Sequence, residues 1–304
     1  MAKLLEGKSA VVTGGGRGIG KEICLAFARQ GADVVVNDLG GATDGSGADK
    51  SPAEEVVAEI KKMGGKAVAN YNNVADFDAA EKIIQTCVKN FGRIDILANV
   101  AGIARMALAQ DATEKDFDDV IAVNLKGTFN CSRHAFRAMI NQSFCRTGRI
   151  INFTSDAWRT PVPNQINYAA SKGGVVGLTR ALAAEGKLHG VACNAIAPVA
   201  GTRLIGPMTP KIADWLLKKG LVDQWLRDRF LDPGPADHIP PLVVYLASDH
   251  AANITGRIFG ASQGRVAIYA EPKEAARLWK EEGSMWTPEE LIEMVPEKLI
   301  KSVQ

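Results

Sequence analysis

Two groups of residues in this chain could carry chemistry, and the first is a phenol set beside an ammonium. In Tyr168-Ala169-Ala170-Ser171-Lys172 the two side chains stand four positions apart, so on a helix they face the same side, one turn from each other. A free phenol has a pKa of about 10 and is a poor base near neutrality, whereas a fixed positive charge beside it stabilises phenolate and lowers that value. Such a tyrosine can shuttle a proton at neutral pH. Ser155 stands 13 residues earlier, just after the β-branched run Arg149 to Phe153, where its hydroxyl would donate a hydrogen bond to the oxygen of a reacting carbonyl or alcohol. Taken singly, each residue has a plainer use. A tyrosine and a lysine at this spacing arise by chance on amphipathic helices, Ser155 could cap a turn, and Asn124 could satisfy backbone groups.

The second group lies near the start. Thr13 closes an apolar run and is followed by Gly14-Gly15-Gly16-Arg17-Gly18-Ile19-Gly20, which opens a helical pattern. Glycines there permit positive φ in the turn and let the backbone approach a pyrophosphate, whose charge then sits at a helix N-terminus. A glycine-rich turn alone is weak evidence, since steric need explains it too, but its place after a first strand strengthens it. Asp38 follows Gly20 by 18 residues, at the end of the second strand, close to the offset of about 20 expected for the acid that accepts from adenosine ribose hydroxyls. Its carboxylate would repel a 2′-phosphate, so the expected cofactor is NAD over NADP. Arg17 is the opposing consideration, because a guanidinium in the glycine loop could meet that phosphate. A solvated Arg17 is the preferred reading, and an ordinary turn residue is the plainer alternative for Asp38.

The elements that must position these groups are short β-branched runs alternating with helical segments, the rhythm of an α/β fold with a doubly wound parallel sheet. Strands are expected at Ser9 to Thr13, Asp33 to Asn37, Lys66 to Asn70, Ile94 to Asn99, Arg149 to Phe153, Val191 to Ile196 and near Arg257 to Gly260. Gly40 to Ser51 is a glycine-rich insertion and reads as a surface loop. Leu204 to Phe230 carries Trp215, Trp225 and several leucines at mixed helical spacing, which predicts a helical flap over the substrate. Helices are expected at Pro235 to Ala247, around Glu274 to Glu282 and at Pro288 to Met294. The chain then divides into one domain over 1–262 and a C-terminal extension over 263–304. Trp279 and Trp286 in that extension read as interface or surface residues before pocket residues. Lys211, Lys218, Lys219, Arg227 and Arg229 read equally as phosphate contacts or as a solvated face.

Composition narrows the function. Of 304 residues, 36 are Lys or Arg and 34 are Asp or Glu, a formal charge of +2 that gives no global field for nucleic acid or an anionic membrane. The five cysteines, at 24, 87, 131, 145 and 193, form neither a CxxC pair nor a zinc spacing with the four histidines, so no metal is expected and the thiols read as reduced. There is no run of about 20 apolar residues to span a bilayer and no signal-peptide core. The ending Lys301-Ser302-Val303-Gln304 is not an SKL signal, so the expected location is the cytoplasm.

Taken together, TGxxxGxG at Thr13 to Gly20, the asparagine of Val123-Asn124-Leu125, Ser155 and YxxxK at Tyr168 to Lys172 resemble the short-chain dehydrogenase/reductase family over about residues 5 to 262. The resemblance implies a Rossmann-like domain, a homodimer or homotetramer, and hydride transfer between NAD(P) and an alcohol or carbonyl carbon. It implies a catalytic set of Asn124, Ser155, Tyr168 and Lys172, with Asn124 holding a water that links Lys172 to a proton relay. For the cofactor it implies Gly14, Arg17, Gly18, Ile19, Gly20, Asp38, Asn73, Val74, Asn99, Ala101, Gly102, Pro198 and Thr202, besides Tyr168 and Lys172. The resemblance fades after about Gly206, and the substrate is expected at Ser155 and, from the large apolar side chains of the flap, at Trp215 and Trp225. Two departures stand out. The family's NNAG is Asn99-Val100-Ala101-Gly102, which should lose an amide that braces the sheet, and its Pro-Gly is Pro198-Val199. Within the family, the segments Asn37 to Gly41, Gly64 to Tyr71 and Cys193 to Arg203 are similar to those of 3-hydroxyacyl-CoA dehydrogenases. A 3-hydroxyacyl-CoA is therefore the expected substrate, a free cyclic, aromatic or steroid alcohol the alternative, and a catalytically retired NAD-binding protein the third reading.

Overall fold

The apolar runs of the sequence become the strands of one sheet. In the computed structural model, which describes residues 3–142, 147–160, 162–204, 209–281 and 283–301, the elements to the end of the sheet are β1 (Ser9–Thr13), α1 (Gly18–Arg29), β2 (Asp33–Asn37), α2 (Ser51–Lys62), β3 (Ala67–Asn70), α3 (Phe77–Phe91), β4 (Ile96–Asn99), α4 (Glu114–Val120), α5 (Gly127–Asn141), β5 (Gly148–Phe153), α6 (Ile166–Gly186), β6 (Val191–Val199), α7 (Pro210–Lys218), α8 (Gln224–Leu231), α9 (Pro240–Ala247), β7 (Ile258–Ser262) and β8 (Arg265–Ile268). The strand order is β3-β2-β1-β4-β5-β6-β7-β8. The first seven strands run parallel and β8 returns antiparallel to β7. This is the expected doubly wound sheet, with a topological switch between β1 and β4 at whose carboxyl ends a crevice must open.

Alternation along the strands sends side chains into two apolar layers. Ala10, Val12, Val34 and Val36 pack with Ile23, Phe27, Ile60, Val243 and Leu246 on the face covered by α1, α2 and α9. Val11, Val35, Leu97 and Ile150 pack with Ile83, Ile84 and Met139 on the face covered by α3 and α5. Burial on both faces explains why these strands read as continuous apolar runs. Cys24, Cys87, Cys131 and Cys193 are free thiols buried in these layers; Cys145 lies outside the described residues. No described helix is long and apolar enough to cross a membrane.

The structure differs from the sequence expectations in three places. The sheet does not end at 262: Gly264 turns with φ 67 and β8 extends the compact unit to Ile268. The segment expected to be one helix from Pro235 is a short turn at Ala236–His238 followed by α9, because the Pro240-Pro241 step cannot carry helical N–H bonds across it. The helix expected around Glu274 is absent among its described residues. That stretch is mostly exposed and has no apolar face to bury, which leaves local propensity too weak to hold a short helix.

The second compact unit, Tyr269–Gln304, holds α10 (Pro288–Met294), where Thr287 and Glu290 form a reciprocal cap. Lys280 Nζ donates to Met285 O at 2.7 Å and pairs with Glu290, while lying 5.2 Å above the Trp286 ring; Trp279 is 78% exposed.

Candidate active site

The glycine loop leaves β1 at Thr13 and enters α1 at Gly18. A Cβ on Gly20 would fall inside the contact radius of the Gly14 carbonyl oxygen, so only glycine lets α1 start this close to the turn. Gly18 has φ 52, and a Cβ there would meet only the Thr202 side chain, 3.8 Å away, so its open side faces the crevice. Asp38 accepts from Gly16 N at 2.8 Å through Oδ2 and from Gly40 N at 2.7 Å through Oδ1, which fixes its carboxylate beside the loop. The crevice is a cleft of about 300 Å³. Gly14, Arg17, Gly18, Ile19, Gly20, Asp38, Asn73, Val74, Ala101, Gly102, Tyr168, Lys172, Pro198 and Thr202 all line it. This backbone cradle and fixed acid fit a dinucleotide whose diphosphate takes the N-terminus of α1.

Asn99 is not among the residues that line the cleft, and its side chain turns into the sheet. Its Nδ2 donates to Ser132 Oγ and to Asn152 Oδ1, both at 2.9 Å, and Asn152 Nδ2 in turn donates to Thr179 Oγ1 at 3.0 Å. The sheet centre is thus braced by the asparagine that remains, despite Val100 in the next position. Thr13 Oγ1 accepts from Val100 N at 3.2 Å and from Ala101 N at 3.3 Å, holding the next loop against β1.

Ser155 follows β5 and opens a short turn, where its Oγ accepts from Ala157 N at 3.3 Å. Tyr168 and Lys172 occupy the first turns of α6 and are both buried. Several bonds hold that end of α6: Asn167 Nδ2 donates to Arg105 O (2.9 Å) and Asp116 O (3.1 Å), and Thr154 Oγ1 donates to Lys172 O (2.8 Å). Asn164, the one described non-glycine residue at positive φ (64°), turns the chain just before α6, and its carbonyl accepts from Ala107 N at 3.1 Å. Asparagine tolerates that conformation better than most residues.

Asn124 lies in a π-helical segment, Ile121–Lys126, between α4 and α5. Such segments frequently mark functional positions. Its Oδ1 accepts from Ile103 N (2.8 Å), and its Nδ2 donates to Ile103 O (3.0 Å) and Ser171 Oγ (3.3 Å). The structure therefore brings Asn124 beside the Tyr168 helix, with its amide holding the chain after Gly102.

The electrostatics depart from the simple expectation for a tyrosine beside a lysine. Burial pushes the Tyr168 phenol up to about 12, while its hydrogen bond with Ser155 acts in the opposite direction. Burial also brings Lys172 down to about 8. Both shifts come from loss of water on burial: Lys172 Nζ sits 5.5 Å from the Tyr168 ring centroid and donates to Phe153 O at 2.8 Å, which helps to keep its ammonium charged.

Ser155, Pro198 and Ala200 also line a second cavity, of about 820 Å³. Its walls include Met106, Val162, Val199, Ile212, Trp215 and Phe230, with Lys211 and Arg229 as basic members. Trp215, expected at the substrate, is one of the cavity's wall residues. Trp225 is not a wall residue: its ring lies under the Arg265 guanidinium, 4.2 Å away, and packs on the flap's own core of Leu216, Val222 and Leu226. Arg227 is held by Asp214 (2.6 Å) and Asp228 (2.8 Å), which ties α8 to α7. The part of the expected flap at 205–208 lies outside the described residues.

Sequence reasoning missed Met106, Thr160, Asn164 and Gln165 in the cavity, and Leu39, Thr43 and Gly45 in the cleft. Thr43 and Gly45 belong to the insertion after β2 and Leu39 leads into it, and their position directly behind Asp38 was the available signal. The cavity residues carry no motif; only their nearness in sequence to Ser155 and Tyr168 marks Thr160, Asn164 and Gln165.

Comparison with known proteins agrees with this geometry. Residues 8–202 match the family model of short chain dehydrogenases. Over 217 residues, 71% of this chain, it is 45% identical to peroxisomal multifunctional enzyme type 2 of Drosophila melanogaster, of whose length the match covers 35%. It is 40% identical over 257 residues to the 3-oxoacyl-[acyl-carrier-protein] reductase FabG of Staphylococcus aureus, covering 84% of this chain and 97% of the relative. A crystal structure of a short chain dehydrogenase from Mycobacterium avium superposes with a TM-score of 0.81 at 38% identity, covering 98% of this chain and 96% of the other. The chain thus spans about a third of the multifunctional relative and nearly all of the reductase.

Proposed function

The chain belongs to the short-chain dehydrogenase family, oxidoreductases acting on CH–OH groups, and from that premise we propose NAD as its cofactor and a 3-hydroxyacyl thioester as its substrate. The observation that carries this reading is the position of Ser155 and Tyr168. Ser155 lines both the nucleotide cleft and the apolar cavity, and Tyr168 lines the cleft together with Lys172, so an alcohol reaching from the cavity to Ser155 would bring its oxygen toward the phenol.

A bound nicotinamide dinucleotide supplies the hydride acceptor that oxidation of a secondary alcohol requires. The residues of the chain do the rest. Ser155 orients the substrate oxygen, Tyr168 takes the hydroxyl proton through its phenol oxygen, and Lys172 keeps positive charge close to that oxygen and holds the nicotinamide ribose. Asn124 keeps the loop after Gly102 against α6. Asp38 selects NAD, since a 2′-phosphate would meet its carboxylate. An acyl chain suits the apolar walls of the cavity, and Lys211 and Arg229 suit the anionic arm of a coenzyme A or carrier thioester. The 3-oxoacyl reductase among the relatives supports a thioester. Exposed Phe129 and Ile140 on α5 support a homodimer or homotetramer.

The test is turnover with NAD and with NADP of a 3-hydroxyacyl-CoA, its free acid and a set of ring alcohols. The thioester with NAD should give the highest kcat/KM. Ring alcohols turned over faster than the thioester would transfer the assignment to a free-alcohol dehydrogenase, for which Trp215 and Phe230 already offer an aromatic wall.

A further inference from the structure

The insertion after β2 is a folded wall, not a slack surface connection. Asp49 N donates to Leu39 O (3.1 Å) and Ala42 N to Ser46 O (2.7 Å), closing the segment on itself. It is also fastened to the loop after β4, where Ala104 N donates to Thr43 O (3.1 Å) and Arg105 Nε to Asp44 O (3.0 Å). At the far end of the segment Asp49 takes Ser51 N on Oδ1 (2.9 Å) and Ser51 Oγ on Oδ2 (2.8 Å), which sets the plane of its carboxylate. Oδ2 then lies 3.7 Å from Nη2 of Arg17. The insertion therefore presents a carboxylate from each end, Asp38 and Asp49, to the glycine loop and its single guanidinium. Of the nearby lysines, Lys21 pairs with Glu59 at 2.9 Å, and Lys50 lies 5.2 Å over the Tyr71 ring.

We infer that Asp49 is a specificity-determining residue, which holds and neutralises Arg17 so that the glycine loop cannot recruit a 2′-phosphate. Asp38 by itself repels that phosphate, while a free guanidinium beside it would offer charge-assisted bonds and undo the selection. With Asp49 in place the two ends of the insertion act in the same direction. The inference rests on the dinucleotide reading above and adds a residue that no glycine-loop motif contains.

The test is calorimetric binding of 5′-AMP and of adenosine 2′,5′-bisphosphate to the full chain, which reads the nucleotide subsite without turnover. Wild type should favour 5′-AMP. Asp49→Asn should improve the bisphosphate relative to 5′-AMP by about tenfold, the order of one charge-assisted hydrogen bond in a half-exposed setting. Adding Arg17→Gln to that variant should remove the gain. Arg17→Gln alone should change the ratio by no more than about threefold, because a partner already neutralises the guanidinium. An unchanged ratio in Asp49→Asn with 5′-AMP affinity intact overturns the inference, as does a gain that survives the second substitution. If Asp49→Asn loses 5′-AMP binding through damage to the start of α2, Arg17→Gln alone decides, and a fall in relative bisphosphate affinity of about tenfold or more overturns the inference. A wild type that prefers the bisphosphate overturns the NAD reading itself and this inference with it.

Discussion

The nucleotide cleft and the substrate cavity meet at Ser155 yet are built from different material. The cleft is shaped by the glycines of the β1–α1 turn and by the chain at the end of β2 and just past β4, with the N–H groups of Gly16 and Gly40 held by Asp38. The cavity is walled by side chains from separate segments, with Met106 from one loop, Val162 and Gln165 from the approach to α6, Val199 from β6, and Trp215 and Phe230 from the flap. Where the glycine turn packs on backbone, as at Gly14 and Gly20, it tolerates almost no added atom. A side-chain wall can be recut one residue at a time with the sheet untouched.

The largest test acts where the two meet. Tyr168→Phe keeps the ring's packing in both regions and removes the proton carrier, so kcat should fall about 10² to 10⁴ fold while cofactor binding persists. Retention of more than about a tenth of wild-type kcat would show that neither region relies on the phenol.

The comparison itself is broken or kept by a methyl group. Gly20→Ala places Cβ against the Gly14 carbonyl and should cost about 3 kcal/mol, with loss of nucleotide binding. Chemical denaturation and NAD titration both read this, and a variant as stable as wild type would mean the cleft yields like the cavity.

A smaller effect concerns Lys172, buried against the cleft. Its folded pKa of about 8 lies below the ordinary Lys value of 10.5, so the unfolded chain binds more protons between those limits. Stability should therefore rise as pH increases from about 8 to 10, by roughly 2 kcal/mol from this residue. Above about 10 the raised phenol of Tyr168 acts in the opposite sense, because the unfolded chain then loses its proton first. Urea midpoints across this range should show the rise in wild type and a flatter profile in Lys172→Met; parallel profiles would remove Lys172 as the cause.

The smallest effects belong to the cavity wall. Trp215→Ala should raise KM for the favoured substrate about tenfold with stability nearly unchanged, whereas Trp225→Ala should leave KM alone and loosen the flap by about 1 kcal/mol. Equal KM changes in the two variants would place Trp225 against substrate after all.

The same difference in material decides what was legible in the sequence. A backbone wall demands glycine at fixed offsets, and an acid at the end of the next strand, so Gly14 to Gly20 and Asp38 could be found without coordinates. The parallel sheet announced itself through runs buried on both faces, as in Asp33 to Asn37. Nothing comparable marked Met106 or Gln165, whose role comes from loops converging in space. Trp215 and Trp225 looked alike as large apolar residues of one segment, and only the fold shows that Arg265 covers the second. A motif names neighbours in sequence and did not show that the Asn99 side chain crosses to β5. Spacing gives the distance from the phenol to an ammonium but not the water both groups lose, so the burial of Tyr168 and Lys172 could not be read from the sequence.

The burial of Cys24 has a use of its own. Its sulfur lies beneath the glycine turn, with Sγ 3.7 Å from Gly15 O, and loss of water pushes its thiol far above the ordinary range. In that state it is a poor nucleophile and closed to alkylating reagents, so labelling can proceed only when the turn lifts from the sheet. The rate of alkylation at Cys24 is then a clock for opening of the nucleotide cleft, and the factor by which a bound dinucleotide slows it measures how firmly the ligand keeps that door shut.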